Sequence, residues 1–163
     1  MKDSHSRKGN FQIIDSDLLS ELHSDHMEVA NLLGDFERQD LRTYANDIFP
    51  MLKEEITAHC EAEQLTIYNK LAKEDESLIK AAKSEHHEIK EFLKTLESTS
   101  LTDEKAWEET FKDLKSAVQH HVEEEESEMF ELISRQMSKK MQDELYDQFM
   151  EAKDELKSSG RAA

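Results

Sequence analysis

Six residues of this chain combine metal-binding chemistry with positions where apolar side chains are expected: His26, His59, Glu63, His86, His121 and Glu125. His59 precedes Glu63 by four residues, and His121 precedes Glu125 by four. On a helix that spacing stacks the two side chains one turn apart on one face, so both reach the same region. The neighbours on that face are apolar. One stripe reads Leu52, Ile56, His59, Glu63, Ile67, Leu71, and another reads Leu114, Val118, His121, Glu125, Met129, Ile133. His26 falls among Leu18, Leu19, Val29, Leu32 and Leu33, and His86 among Leu78, Ile79, Ile89, Phe92 and Leu93.

Four imidazoles and two carboxylates in such stripes are expensive, because each uncompensated buried charge costs an amount comparable to a domain's whole stability. Cations would compensate them. Two facing His-x-x-x-Glu helices supply two carboxylates that can bridge two metals, and the remaining histidines complete each ion. The expected division is His26 with His59 on one ion and His86 with His121 on the other, bridged by Glu63 and Glu125. Imidazole mixed with carboxylate suits iron, manganese or zinc. Iron is the expected metal, as two Fe ions with carboxylate and oxo or hydroxo bridges, because a structural zinc is normally closed and mononuclear.

The elements that must position these residues are helices. Apolar residues recur in steps of three and four, and no run alternates in the manner of a strand. Helices are expected over residues 16–37 (capped by Asp15 or Ser16), 41–73 (with Pro50 as a kink or a fresh start), 76–97 (entered through Asp75) and 103–137 (capped by Thr102). A shorter fifth helix follows Ser138 and runs to about Lys157. Its stripe of Met141, Leu145, Phe149, Ala152 and Leu156 would pack on the bundle or seed a dimer. The arrangement is also duplicated. Residues 49–71 match 111–133 at an offset of 62, and the two single-histidine helices match at an offset of 60. The expected fold is all-α: an antiparallel up-down-up-down four-helix bundle plus a short C-terminal fifth helix, built from two helix-pair repeats.

The composition agrees. The 163 residues hold only three glycines and one proline, and 36% are charged, as in long solvent-exposed helices. One domain over residues 15–157 is expected, with a disordered lead-in over 1–14 that has no signal-peptide core, and a flexible tail over 158–163. A formal charge of −17 argues against nucleic acid. No window is apolar enough to span a membrane. The single Cys60 fits a reducing, cytoplasmic setting.

Leu22, His26, Val29 and Leu33, followed by His59-Cys60-Glu61-Ala62-Glu63 and Ile67-Tyr68, resemble the hemerythrin HHE cation-binding family. Glu85-His86 with Ile89 and Leu93, then His121 through Glu126 with Met129-Phe130, repeat the resemblance, which covers about residues 16–157. It implies a di-iron bundle. Oxygen-carrying members resemble this pattern but place a second histidine four residues from the first on the third helix; here those positions are Ala82 and Lys90. They also have Asp five residues after the last histidine, where Glu126 stands here. Ferritin-type sites need Glu three residues before His, and none of the eight histidines has an acidic residue there.

The expected role is binding or sensing of a small ligand (O2, NO or peroxide) or of iron itself, by a monomer or homodimer. A di-iron enzyme acting on peroxide or oxidising a small molecule, and iron handling or storage, are the alternatives. No acid–base residue beyond the ligands supports catalysis. Asp25 and Glu85 are either imidazole-orienting acceptors or surface carboxylates. His23 is expected to be half-exposed, His87 and His120 exposed, and His5 part of the lead-in. His23, Glu126 and Tyr44 or Tyr68 are further candidates for the metal sphere.

Overall fold

The computed structural model describes residues 16–162, so the lead-in expected over 1–14 and His5 lie outside the described residues. Every regular element among them is helical. Helix α1 (Asp17–Gly34) starts where Ser16 Oγ accepts the Leu19 N–H, and it buries residues in steps of three and four, from Leu18 through His26 to Leu33. It ends in a tight turn, Asp35–Arg38.

The second rod is less regular than its sequence stripe. A single turn, Leu41–Thr43, is capped by Asp40 and opens into a wide π turn, Tyr44–Ile48. Helix α2 (Phe49–Leu65) continues directly from that turn, with Pro50 in its first turn, where the wide turn meets the regular ladder. The ladder breaks again at Thr66 (φ −117°, ψ −70°), whose hydroxyl donates to the Ala62 carbonyl, before α3 (Ile67–Leu71).

Helix α4 (Glu76–Ser98) is capped by Asp75, which accepts from the Leu78 N–H. The cap of α5 (Glu104–Glu124) is Asp103, not Thr102. Asp103 Oδ1 accepts the Ala106 N–H at 3.2 Å, while Thr102 is engaged with the Ser100 hydroxyl. A carboxylate at a helix N-terminus also meets the positive end of the macrodipole, which a threonine hydroxyl does not exploit. A π turn, Glu125–Met129, joins α5 to α6 (Phe130–Gln136).

The fifth helical rod is not short. Helix α7 (Lys139–Ala162) has 24 residues and includes most of the segment expected as a tail. No proline follows Leu156, and no described residue takes positive φ, so nothing interrupts the ladder. Leu145 and Phe149 are fully packed against the bundle.

Two apolar clusters fill the interior. One gathers Leu18, Leu22, Ile67, Leu71, Ile79, Phe130, Ile133 and Phe149; the other gathers Leu32, Leu52, Ile89, Leu93, Trp107, Phe111 and Leu114. In the second, Phe36 stacks on Phe111 with centroids 4.2 Å apart, and Trp107 Nε1–H donates to the Leu96 carbonyl. The six polar residues singled out above belong to neither cluster. Among the described residues, no helix is long and apolar enough to cross a membrane.

The α5 cap gives a direct test. Asp103→Ala is expected to cost about 1 kcal/mol in urea unfolding and Thr102→Ala only a few tenths. The reverse order would reject the assignment.

Candidate metal centre

Each of the four rods α1, α2–α3, α4 and α5–α6 sends polar side chains into the layer between the two apolar clusters. His26, His59, Glu63, His86, His121 and Glu125 are all buried, at 1–6% exposure. Their side-chain nitrogens and oxygens form two sets within reach of a single ion each: His26, His59, Glu63 and Glu125, and Glu63, His86, His121 and Glu125. The sequence-predicted residues thus meet in one place.

The two glutamates divide their oxygens between the sets. Glu125 Oε1 lies 2.8 Å from His26 Nε2 and 3.7 Å from His59 Nε2, while its Oε2 lies 3.6 Å from His121 Nε2. Glu63 Oε2 lies 3.4 Å from His59 Nε2, while its Oε1 lies 3.1 Å from His86 Nε2 and 4.0 Å from His121 Nε2. One oxygen of each carboxylate faces each pair of imidazoles.

All four rings are oriented from behind. His26 Nδ1–H donates to Glu126 Oε2 at 2.7 Å, His59 Nδ1–H to Asp25 Oδ2 at 2.8 Å, His86 Nδ1–H to Gln64 Oε1 at 2.9 Å and His121 Nδ1–H to Glu85 Oε1 at 2.7 Å. This fixes the tautomer, so every Nε2 turns a lone pair inward unless it carries a second proton. His86 Nε2 and His121 Nε2 face each other at 3.1 Å, where one proton can be shared in a hydrogen bond but two would collide and none would leave lone pairs opposed. Buried His59 Nε2 and Glu63 Oε2 have no hydrogen-bond partner. A cation satisfies all of these atoms together, and the donor set of imidazole nitrogens and carboxylate oxygens is one that divalent transition metals accept.

The electrostatics express the same demand. Burial alone would lower the pKa of His26, but hydrogen bonds to Glu125 and Glu126 override it and raise it to about 9. Burial likewise opposes protonation of His59 and His121, and neighbouring carboxylates override it in both. Burial would raise Glu125, yet its hydrogen bond to His26 and the His59 imidazole 3.7 Å away hold it well below the usual carboxylate range. The pocket wants positive charge, supplied by protons or by metal.

Several residues acquire definite places. Asp25 and Glu85 are imidazole acceptors. Glu126 binds from behind His26, where burial would raise its carboxyl but His26 and His23 lower it. His23 is half-exposed and donates to the same Glu126 oxygen at 2.8 Å. Tyr68 O–H, fully buried, lies 2.9 Å from Glu125 Oε2 and 3.2 Å from both Glu63 Oε1 and His86 Nε2, whereas Tyr44 donates to the Leu32 carbonyl away from the site. His87 and His120 are exposed. Burial pushes the Cys60 thiol up to about 12, which makes it a packing group rather than a nucleophile.

Sequence reasoning missed Gln64 and Lys153. Gln64 is an ordinary helix residue next to Glu63, and nothing in its type marks it. Lys153 carried a signal, since it lies four residues after Phe149 on the inward stripe of the last helix. It is 6% exposed and reaches Asp25 and Glu21. Ala82, one turn before His86, lines a small cavity of about 10 Å³ with His121, Glu125 and Met129.

Proton and metal compete for the same nitrogens, so pH has opposite effects on the two states. In the metal-free protein, His26 stabilises the fold fully below pH 6.5, and that contribution is lost as pH rises through about 9. Metal binding needs a bare Nε2 and therefore tightens over the same interval. Between about pH 7 and 9.5, the Tm of metal-free protein is expected to fall while the gain in Tm on adding metal grows. A metal-induced gain that shrinks with rising pH would overturn this competition.

Comparison with curated proteins and with solved structures returned no match. The family model of the hemerythrin HHE cation binding domain matches residues 16–133, which include all six clustered residues and every acceptor behind their rings. The chain belongs to the hemerythrin HHE cation-binding family.

Proposed function

We propose that this domain holds two iron ions and uses them to bind a small ligand (O2, NO or peroxide), or to report iron itself, in a sensing role. The observation that carries the two-ion reading is the division of the Glu63 and Glu125 oxygens between the two imidazole pairs. A single ion would have no use for that division. Two ions also account for the atoms left unpartnered in the buried layer. Iron is preferred to zinc because shared carboxylates and an incomplete ligand set suit redox-capable or ligand-binding centres, whereas structural zinc sites are closed.

When bound, iron would supply reversible ligand binding and electron transfer. The chain's own residues do the rest. Asp25, Gln64, Glu85 and Glu126 fix the rings, and Tyr68 donates its O–H toward Glu125. Burial first, then Glu125 and Glu63, keeps the Tyr68 phenol protonated. The cavity beside Ala82 has room for about one water-sized molecule next to His121 and Glu125, which favours a diatomic ligand over a larger substrate. No further acid–base group enters the layer from the residues described, and this favours binding over turnover.

An antiparallel up-down-up-down order fits the two apolar clusters, since each joins the start of one rod to the end of the next: Leu18 with Leu71, Ile79 and Ile133, and Leu33 with Phe49, Leu96 and Trp107. The formal charge of −17 supports a small-molecule ligand rather than nucleic acid, and the single Cys60 supports a reducing cytoplasmic setting.

Protein loaded anaerobically with ferrous iron is expected to hold about two irons per chain. His121→Ala is expected to lose at least one; unchanged iron content would reject the assignment. Optical spectra of reduced protein before and after O2, NO and peroxide then separate the roles. Ligand-specific bands without turnover support sensing, and rapid catalytic loss of peroxide would replace it with an enzyme.

A further inference from the structure

We propose that the last helix, α7, is coupled to the cation site through Lys153, Asp25 and His59, so that holding metal and docking α7 favour each other. The inference rests on the metal-site reading above and names how occupancy leaves the site.

Lys153 is buried at 6% exposure, and its ammonium spends its donors on two carboxylates of α1: Glu21 Oε2 at 2.8 Å, and Asp25 Oδ1 and Oδ2 at 2.8 and 3.0 Å. Asp25, also buried, uses Oδ2 to accept from His59 Nδ1. The Lys153 charge therefore pins the carboxylate that pins the ring. A second contact follows the same path, because Phe149 of α7 lies edge-on to the His59 ring at 5.8 Å and beneath the Lys153 ammonium at 5.2 Å. Among the described residues, no other imidazole acceptor has a cation from α7 against it: Glu126 takes His23, Glu85 takes His120, and Gln64 is uncharged. Of the four corners so described, it is the His59 corner that answers to this helix.

α7 also lies beyond residues 16–133, the segment that matches the family. The cluster and its four ring acceptors are complete without it, so the docked lysine is an addition to the site rather than part of it.

Without a cation, His59 Nε2 faces Glu63 at 3.4 Å and Glu125 at 3.7 Å with no hydrogen-bond partner. Any relaxation of that ring moves its bond to Asp25, and Asp25 loosens its hold on Lys153. Linkage requires the converse, that undocking α7 weakens the His26–His59 half of the site. Lys153 is a positioning residue acting through Asp25.

Amide hydrogen exchange of the full chain tests this, with anaerobic ferrous iron as the probe and iron content measured on the same samples. In the natural sequence, bound iron is expected to slow exchange across residues 139–157 by about tenfold. In Lys153→Met, iron still slows exchange around His121 but not across 139–157, and Lys153→Arg restores the effect. Lys157→Met breaks a pair with Glu55, which touches no ligand, and is expected to keep it. Equal exchange in α7 with and without bound iron, or equal slowing in Lys153→Met, overturns the coupling alone. A chain that takes up no iron overturns the metal reading and the coupling with it. If Lys153→Met does not fold, the natural sequence and Lys153→Arg decide the question.

Discussion

A buried imidazole that has given its Nδ1–H to an acceptor turns its Nε2 the other way, and four of these nitrogens meet two carboxylates inside this bundle. That convergence is the constraint to which the other features answer. Protons satisfy it only in part, because His86 Nε2 and His121 Nε2 are too close for both to carry one. A cation satisfies it fully. The acceptors behind the rings cannot drift without releasing a tautomer, and the helices that carry them cannot slide by a turn without losing a ring. The apolar clusters on either side exclude water that might otherwise screen the carboxylates. The packing therefore strengthens the demand that the polar layer creates.

The two halves of the chain repeat a helix pair, and the repeat extends to the positions of the acceptors behind the rings but not to their residue types. His59 and His121 occupy matched positions, and so do the acidic residues Asp25 and Glu85 that precede His26 and His86. In the structure Asp25 serves His59 and Glu85 serves His121, so each acidic residue orients the histidine of the following helix. Symmetry would give His26 and His86 like partners as well. Instead His26 takes Glu126, an acid, and His86 takes Gln64, a neutral amide. The half containing His26 and His59 thus has two anionic acceptors and a buried lysine, whereas the other has one anion and a small cavity beside Ala82. Matched positions make the halves alike in layout, and differing residue types make them electrostatically unequal.

The sequence made the six clustered residues legible because each breaks an apolar period, and a broken period needs only the residues four positions away to be seen. The helical class was legible for the same reason. What lay beyond was of two kinds. Local backbone departures, such as the π turn at Tyr44–Ile48 and the break at Thr66, leave the stripe of buried residues intact and so leave no mark on its spacing. Partners supplied by another rod, as Gln64 is to His86 and Lys153 to Asp25, depend on which helices are neighbours. Asp103 over Thr102 was a contest between two adjacent good caps, decided by where the chain enters the helix.

The π turn at Glu125–Met129 begins at one of the two buried glutamates. Consecutive residues of a helix point about 100° apart, so two neighbouring side chains can approach one ring from two sides. Glu125 enters the buried layer while Glu126 reaches the opposite nitrogen of the same imidazole, His26. The corresponding place in the first repeat holds Glu63 and Gln64, where the helix stays regular until Thr66. There Glu63 Oε1 lies 3.1 Å from His86 Nε2 while Gln64 Oε1 takes His86 Nδ1. Both pairs therefore hold a ring from both sides, with the widened turn or without it. What separates them is charge: His26 has an anion behind it, and His86 a neutral amide.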